Sequence, residues 1–361
     1  MTRTLRLLAL LLVVGLTGCT SEDPGASPDK SPNEQSTPTP GVSGSPSASP
    51  SPAPAPSPTE IALEPPGSLA APGVLKVGAE GTVLASAPGG SSAGRIKAGV
   101  LLPFSAVQNG WARVTTPCEL TRWMPVEAGS RVVRPAVVLD PGHGGDEAGA
   151  TGPTGLLEKE VNLDVASRAA GLLNSLGIPA MLTRTSDYRA SLPFRVQVAD
   201  NSAAELMVSI HHNADPDGPL DRPGSETYYQ FRSAGSKRLA GLVYEETVAE
   251  LSKLGAGWVG DTDAGAKWRL NSSGGDYYGI LRRSGEVGVV TTLAELAFVS
   301  NPAEEALLRR EDVRQMEASA IVRAVQRYLG SKDPGSGFTT PYPRTAPAGP
   351  GGGTKGCVDP S

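Results

Sequence analysis

The sequence predicts two folded domains: a small all-β domain, followed by an α/β domain whose largely parallel sheet lies between helices. In residues 134–330, strand-like apolar runs alternate with segments of helical periodicity, which is the pattern of a sheet covered by helices. In residues 62–131, short apolar runs are separated by Gly, Pro, Ser and Asn turns, which indicates several short strands. Both stretches are long enough to bury a core.

Two segments without a predicted core precede these domains. Residues 1–18 place two arginines before an apolar run that is too short to span a bilayer, as in a secretory signal peptide. The run ends in LTGC, which resembles the lipobox of bacterial lipoproteins and implies cleavage before a lipidated Cys19; a secretory signal with a chance cysteine is the alternative. Residues 19–61 are mostly Ser, Pro, Gly, Thr and Ala, which predicts a disordered tether. We therefore expect an extracytoplasmic protein, anchored in the lipid bilayer of the cell membrane through Cys19 and facing the cell wall.

The all-β segment, residues 62–131, is predicted to form five strands in a small barrel. Strand-like runs lie at 81–84, 100–102, 111–114 and 122–125. A Pro-Gly turn at 88–89, the run at 109–114 and Trp123 together resemble the bacterial SH3-like domains of cell-wall enzymes. That resemblance implies a domain that binds wall peptides or serves as a spacer. Trp111 and Trp123 are either ligand platforms or packing residues.

In the α/β segment, residues 134–330, predicted helices alternate with predicted strands. A helix is predicted over 158–176, because Val161, Val165 and Ala169 have helical spacing and a glycine follows at 177. The other predicted elements are strands at 179–183 and 206–210, a helix over 236–254, a strand at 287–293 and a helix over 311–329. The connection at 255–285 is long, which is typical of a loop that lines or covers a cleft.

Charge and cysteine content narrow the function classes. The formal net charge is −5, and there is no GxxxxGK loop, so neither nucleic acid nor a nucleotide phosphate is an expected ligand. With Cys19 lipidated, Cys118 and Cys357 remain, and an oxidising compartment allows them to form a disulfide. Without that bond, the Gly/Pro-rich tail at 331–361 is expected to be a disordered terminus.

The chain has three histidines, and all of them follow apolar strand-like runs. His143 lies in the run DPGHGG at 140–145, whereas His211 and His212 end the run that begins at 206. All three histidines lie at the ends of two predicted strands, which favours a binding site that both strands share. Imidazole is a common zinc ligand, so a zinc site is the expected function of these residues. Neighbouring residues on a strand point to opposite faces, so His211 and His212 cannot easily reach the same metal.

Five motifs then occur in order across this segment. They are DPGHGG at 140–145, GLLEKE at 155–160, TR at 183–184, SIHHNA at 209–214 and ELAFVSNP at 295–302. Together they resemble the motifs of the zinc-dependent N-acetylmuramoyl-L-alanine amidases of the amidase-3 family. The resemblance implies one zinc ion held by His143, Glu158 and His211, with Glu295 as the catalytic carboxylate. It also implies peptidoglycan as the substrate, cut between N-acetylmuramic acid and the L-alanine of the stem peptide.

This sequence departs from the family at two positions. His212 stands where the family more often has a small residue, and we expect it to be a wall or packing residue. Leu296 follows Glu295 where small or polar residues are usual. Both departures bear on the shape of the substrate cleft.

Residue chemistry supports the zinc site and leaves alternatives. Two histidines and a glutamate suit a catalytic zinc, which takes three protein ligands and keeps an open position. Glu158 could instead only stabilise the start of its helix, as acidic residues in a first turn do. Glu295 lies in an apolar strand, where a lone carboxylate is unfavourable unless it is paired, metal-linked or catalytic; a hydrogen-bonded structural role is the alternative.

Other motif residues have more open roles. Asp140 either supports a zinc ligand or caps its turn. Arg184 and Asn213 are candidates for substrate contact, with ion pairing and turn formation as alternatives. Lys159 and Glu160 are expected at the surface.

Three functions fit the sequence, and an unidentified protein activator is compatible with the first. The leading one is a lipid-anchored zinc amidase that cleaves peptidoglycan. The second is a zinc-dependent carboxypeptidase or endopeptidase of wall peptides, which would need the same metal. The third is a non-catalytic wall-binding lipoprotein, which the presence of all three ligands and Glu295 disfavours.

Overall fold

The N-terminal part of the fold is an antiparallel sheet of eight strands. In this computed structural model, the described residues are 63–64, 70–132, 134–214, 224–255, 264–340 and 353–361. The predicted signal peptide, Cys19 and the predicted tether lie outside them. None of the helices in those ranges is long and apolar enough to cross a membrane.

Eight strands replace the predicted five in the all-β segment. They are β1 (Leu63–Glu64), β2 (Gly73–Val77), β3 (Thr82–Ala85), β4 (Ser92–Ile96), β5 (Leu101–Gln108), β6 (Trp111–Thr115), β7 (Thr121–Pro125) and β8 (Gly129–Val132). The four predicted runs fall on β3, β5, β6 and β7. Strand β4 was missed because its sequence, SAGRI, buries only Ile96 and so shows no apolar alternation.

The strand order of this sheet is β1-β8-β2-β5-β6-β7-β3-β4, and every described pair is antiparallel. Its inner face buries Leu75, Leu102, Phe104 and Met124. Trp111 and Trp123 are half-buried. The SH3-like identity of the sheet stays a prediction.

The second sheet has six strands and is largely parallel. They are β9 (Val137–Pro141), β10 (Ala180–Leu182), β11 (Leu206–Asn213), β12 (Glu226–Tyr229), β13 (Gly265–Lys267) and β14 (Val290–Phe298). The order is β10-β9-β11-β14-β12-β13, and only the pair β12 and β14 is antiparallel. The predicted largely parallel sheet is therefore observed, with an antiparallel step near one edge.

Helices cover both faces of this second sheet. They are α1 (Glu158–Ser175), α2 (Leu192–Ser202), α3 (Ala234–Leu251), α4 (Gly279–Glu286), α5 (Pro302–Leu308) and α6 (Glu311–Gly330). Helices α1, α3 and α6 share one apolar core with one face, whereas α2 and α4 lie on the other face in a core that continues into the N-terminal sheet. The predicted helices fall on α1, α3 and α6.

The predicted strand at 287–293 is wrong in its first residues. Helix α4 occupies Gly279–Glu286, and Gly288 turns the chain with a φ of +79°. Strand β14 begins only at Val290 and runs to Phe298. Glu295 lies inside this strand, as its apolar surroundings predicted.

The connection predicted at 255–285 contains structure of its own. Residues 256–263 lie outside the described residues. The remainder holds β13, α4 and a bridge between Leu270 and Asp276, so it is not one long loop. A lid role for this segment stays a prediction.

The C-terminal residues 353–361 return to the N-terminal sheet. A disulfide joins Cys118 and Cys357. Beside it, the Cys118 amide donates to Asp359 Oδ1 at 2.9 Å, and the Lys97 amide donates to the Pro360 carbonyl at 2.9 Å. This end of the tail is therefore fixed to the fold.

Candidate metal centre

His143 is presented by a tight turn at the end of β9. Its backbone has a φ of +59°, which few residues other than glycine adopt. The preceding Gly142 lies against the ring of His211, and a Cβ on Gly142 would lie 2.1 Å from His211 Cε1. Only glycine at 142 lets the two histidines approach, and their ring centroids are 4.9 Å apart.

Strand register places His211 beside Glu295. The parallel pair β11 and β14 aligns the two residues as direct neighbours. Side chains alternate along a strand, so His211 lies on the face that carries Met207 and Leu293, which is the face covered by α2 and α4. His212 lies on the opposite face, as its predicted packing role requires.

Glu158 completes the cluster from the first residue of α1. Its Oε1 is 2.9 Å from His211 Nδ1, and its Oε2 is 3.2 Å from His143 Nε2. The Ala150 amide also donates to Oε2, at 2.8 Å. One ligand atom from each of the three residues lies within 4.8 Å of the others.

These three residues fit a zinc ion by their donor chemistry. Burial raises the pKa of Glu158, but hydrogen bonds from His143 and His211 outweigh it and hold that pKa well below its usual range. Burial lowers the pKa of His211, more than the neighbouring Glu158 raises it. A carboxylate and a neutral imidazole are the forms that bind a metal, so Glu158 and His211 are suited to hold one.

Glu295 points into the same site from β14. Its Oε2 is buried and has no hydrogen-bond partner among the described residues. Burial, together with the charges of Glu158 and Glu226, raises its pKa well above the usual value. Buried carboxylate oxygens are normally hydrogen-bonded, so an orphaned one is typical of a functional site.

His212 belongs to a buried hydrogen-bond network that reaches Glu158. Its Nδ1 is 2.7 Å from Asn162 Oδ1, and its Nε2 is 3.3 Å from Glu317 Oε1. Asn162 in turn donates through Nδ2 to Glu158 Oε1 at 3.2 Å and to the Gly142 carbonyl at 3.3 Å. Because these two donor contacts fix the amide, Asn162 Oδ1 accepts and His212 Nδ1 carries a proton.

Asp140 supports the turn that carries His143. It accepts from Arg195 Nη1 at 2.7 Å, from Thr183 at 2.5 Å and from Ser209 at 2.7 Å. Arg195 also donates to the His143 carbonyl at 2.6 Å. Burial raises the pKa of Asp140, but Arg195 and the hydroxyl donors outweigh it and lower that pKa.

The expected substrate contact is wrong for Arg184. This side chain is fully buried, and its guanidinium donates to the carbonyls of Pro141, Gly142 and Lys159. Arg184 therefore holds the turn in place and is not accessible to a substrate. Asn213 is half-buried and donates to Glu226 Oε2 at 2.9 Å, so its substrate contact stays a prediction.

The two residues expected at the surface beside Glu158 differ from each other. Glu160 is exposed. Lys159 instead donates to Asp187 Oδ2 at 2.7 Å and to the Gly145 carbonyl at 2.8 Å, which ties α1 to the histidine turn.

Sequence reasoning missed four residues around the site. Asn162 could have been found from the sequence, because it lies one helical turn after Glu158 on α1 and therefore on the same face. Glu317 also had a signal in the sequence, since it interrupts the apolar face of α6 between Val313 and Ala320. Arg195 and Glu226 had none, because they reach the site only through the folding of distant segments.

Comparison with known proteins connects this site to one family. Residues 137–327 match the family model described as N-acetylmuramoyl-L-alanine amidase. The amidase LytC of Bacillus subtilis is 36% identical over 192 residues, which cover 53% of this chain and 34% of LytC. The germination-specific N-acetylmuramoyl-L-alanine amidase of the same organism is 32% identical over 210 residues, 54% of this chain and 80% of that protein. This chain thus matches about a third of the length of LytC.

A solved structure is similar to the same part of the chain. The crystal structure of an N-acetylmuramoyl-L-alanine amidase from Clostridium difficile 630 is 32% identical, with a TM-score of 0.47. The match covers 54% of this chain and 97% of that one.

Proposed function

The chain belongs to the N-acetylmuramoyl-L-alanine amidase family, whose model matches just over half of it, and on that premise we propose that it hydrolyses peptidoglycan. The bond cut is the amide between N-acetylmuramic acid and the L-alanine that begins the stem peptide. The observation that carries this proposal is the cluster of His143, Glu158 and His211 directly beside the orphaned carboxylate of Glu295.

His143, Glu158 and His211 would hold one zinc ion. When bound, zinc lowers the pKa of a coordinated water to about 7 and polarises a carbonyl oxygen. The protein holds these ligands in place through Arg195, which fixes the His143 backbone, and through Asn162, which fixes the Glu158 carboxylate.

Glu295 moves the proton in this reaction. Its Oε2 is free to accept a proton from the attacking water and then to donate it to the departing amide nitrogen. Burial and the charges of Glu158 and Glu226 raise its pKa, which suits a carboxylate that must both take and return a proton. The products are a glycan strand that keeps the lactyl carboxylate and a free peptide with an amino end.

The proposal extends to where the protein works. The signal peptide, the lipid on Cys19 and the tether would place the fold outside the cytoplasmic membrane, and the N-terminal sheet would bind wall peptides or act as a spacer. This part rests on the sequence of residues 1–61 and on the SH3-like resemblance.

Digestion of purified peptidoglycan tests the proposal. We expect the purified chain to release intact stem peptides with zinc and to lose this activity in chelator. The variant Glu295→Gln should lose about 100-fold to 10,000-fold in rate, because it cannot carry the proton. The matched control is Glu286→Gln, an exposed glutamate at the end of α4, which should retain the activity of the parent chain.

Two results would replace the proposal. Release of single amino acids or trimmed peptides would indicate a carboxypeptidase or endopeptidase with the same metal site. Binding to the wall without any release, in a zinc-loaded protein, would indicate a binding protein or the need for a protein activator.

A further inference from the structure

Next to strand β12 lies an arginine that has no carboxylate partner among the described residues. We call the group around it the Arg269 cluster, and this group consists of Arg269, Tyr277, Tyr278 and Tyr228. The Arg269 guanidinium lies 3.7 Å from the ring centroid of Tyr277 and 5.8 Å from that of Tyr278. Tyr278 also packs on Tyr228, with ring centroids 4.6 Å apart.

Strand register places this cluster beside the catalytic carboxylate. Strand β12 runs antiparallel to β14, so Glu226 lies directly opposite Glu295. Tyr228 lies on the same face, two residues along β12, and its hydroxyl donates to Glu226 Oε2 at 2.8 Å. Tyr278 is close enough that burial and the charge of Glu295 raise its pKa to about 12.

Arg269 uses little of its hydrogen-bonding capacity. Nη1 donates to the Tyr278 hydroxyl at a long 3.4 Å, and Nε is buried without a partner within the part of the chain that the structure describes. No described carboxylate lies within ion-pairing distance of this side chain, although the guanidinium is half-buried. A guanidinium carries several N–H donors in a planar fork, so Arg269 has donors that no described residue accepts.

The backbone holds the cluster in a fixed shape. Residues 269–277 form a hairpin closed by the Leu270 and Asp276 bridge, and the Tyr277 amide donates to the Arg269 carbonyl at 2.8 Å. Asn271 Oδ1 accepts from the amides of Ser273 and Gly275 at 2.9 and 3.2 Å. Arg269 is therefore presented on a preorganised loop, which suits recognition of a ligand.

The charges around the site define what this arginine can bind. Glu158 is held as a carboxylate, and the nearby Lys267 is already paired with Glu226. In this cluster, Arg269 is the described cation that lacks a carboxylate partner. A guanidinium stacked on a tyrosine exposes its edge, which matches the two oxygens of a carboxylate.

We propose that Arg269 binds a carboxylate of the substrate peptide and so selects stem peptides with a free carboxyl group near the scissile amide. This inference rests on the proposed amidase function. The two candidate groups are the α-carboxyl group of the second peptide residue and the carboxyl terminus of the peptide. Arg269 is a specificity residue, and Tyr277 and Tyr278 orient it.

Three synthetic muramoyl tripeptides test this assignment with the full chain. In the first, both the α-carboxyl group of the second residue and the carboxyl terminus are free. The second carries a carboxamide at the α-carboxyl group, and the third carries one at the terminus. Values of kcat and KM are measured for each, and dissociation constants are measured in the Glu295→Gln background, where turnover does not interfere.

We expect one carboxamide to lower kcat/KM and binding by about 10-fold to 100-fold, since a charge-assisted hydrogen bond is lost. The variant Arg269→Gln should remove that preference while leaving the carboxamide probe nearly unaffected, and Arg269→Lys should restore part of it. Arg283→Gln, an exposed arginine on α4, should keep the parent preference.

The assignment is overturned if all three probes bind and react alike, or if Arg269→Gln weakens them equally, as a merely structural residue would. Purified peptidoglycan is digested in parallel. If the zinc-loaded parent chain cuts peptide bonds of the wall and leaves the muramoyl amide intact, the amidase function fails; if it releases stem peptides without a carboxylate preference, only the Arg269 assignment fails.

Discussion

Glu158 is held by more groups than a carboxylate needs for stabilising the start of a helix. Oε1 accepts from the His212 amide and from Asn162 Nδ2, both at 3.2 Å, in addition to its contact with His211. The Ala150 amide donates to Oε2. Each donor favours the charged carboxylate in one orientation, which is what a metal ligand requires.

Asn162→Ala should therefore weaken zinc binding. Without the amide, Glu158 loses a donor and His212 Nδ1 loses its acceptor, so we expect zinc affinity to fall by about 10-fold to 100-fold. Competition with a chromophoric chelator measures this. Asn174→Ala on the same helix is the control, and equal zinc affinities for the two variants would rule out a role for Asn162 in orienting the ligand.

Glu304 makes stability depend on pH. It is fully buried, Oε2 accepts from the Phe298 amide at 2.7 Å, and Oε1 has no partner in the described part of the chain. Burial, and then the charge of Glu317, raise its pKa from the ordinary 4.5 to about 8 despite the hydrogen bond from Phe298. A carboxyl group with a raised pKa stabilises the fold fully below pH 4.5 and loses that contribution as pH rises through 8.

Glu304→Gln should remove this dependence, because the amide stays neutral. We expect its free energy of unfolding, relative to the parent chain, to increase by roughly 2–4 kcal/mol between pH 5 and pH 9. Urea denaturation at several pH values measures the difference. A difference that stays constant with pH would show that Glu304 is ionised throughout.

The residues of the metal centre could be predicted from the sequence where they lie in a recognisable motif. His143, Glu158, His211 and Glu295 each lie in a short pattern, and the structure brings all four together. Arg184 lies in a motif as well, but its burial comes from the fold and could not be predicted. The network around His212 joins residues 50 and 105 positions away in sequence, a separation that no local pattern indicates.

The turn after β9 leaves no space for a side chain at Gly142, next to the His211 ring. Gly142→Ala would place a methyl group into the His211 ring, so the ring must move away from His143 and Glu158. We expect zinc content after dialysis to fall about 10-fold or more. Gly330→Ala, at a glycine with open space around it, is the control.

Metal analysis together with circular dichroism separates the possible outcomes for this turn. The expected result is loss of zinc with retained secondary structure. Retained zinc in Gly142→Ala would mean that the turn relaxes without displacing His211, contrary to the packing observed.

Element prediction succeeded where periodicity was strong and failed where the elements were short. Helix α1 has apolar residues at regular helical spacing and was predicted almost to its ends. Helix α4 has eight residues, and much of its apolar surface packs through Ile280 and Leu281 alone. The following run of valines therefore favoured a strand that starts too early, although Gly288 interrupts it.

The C-terminal tail contacts both the second domain and the N-terminal domain. Arg189, in the loop before α2, donates to the carbonyls of Gly353 and Lys355, at 2.6 and 3.0 Å. A few residues on, the disulfide of Cys357 with Cys118 joins the tail to the N-terminal domain. The tail is therefore fixed at both points, and the disulfide that the cysteine content allowed is present.

Replacing both cysteines by serine should destabilise the fold without changing the chemistry. We expect a loss of about 2–5 kcal/mol in the free energy of unfolding, because the bond constrains the unfolded chain. Kcat should stay near the parent value, since both residues lie outside the metal centre. Reductant should lower the stability of the parent chain to that of the double variant; no effect of reductant would show that the bond does not form in solution.

The identity of the bond that is cut tests the amidase function. Peptidoglycan digested by the zinc-loaded chain in water enriched with oxygen-18 is analysed by mass spectrometry. The amidase function predicts one oxygen-18 atom in the lactyl carboxylate of the muramic acid, together with an unlabelled stem peptide that begins with a free L-alanine amine. Oxygen-18 in a peptide carboxylate, with the muramoyl amide intact, would contradict it.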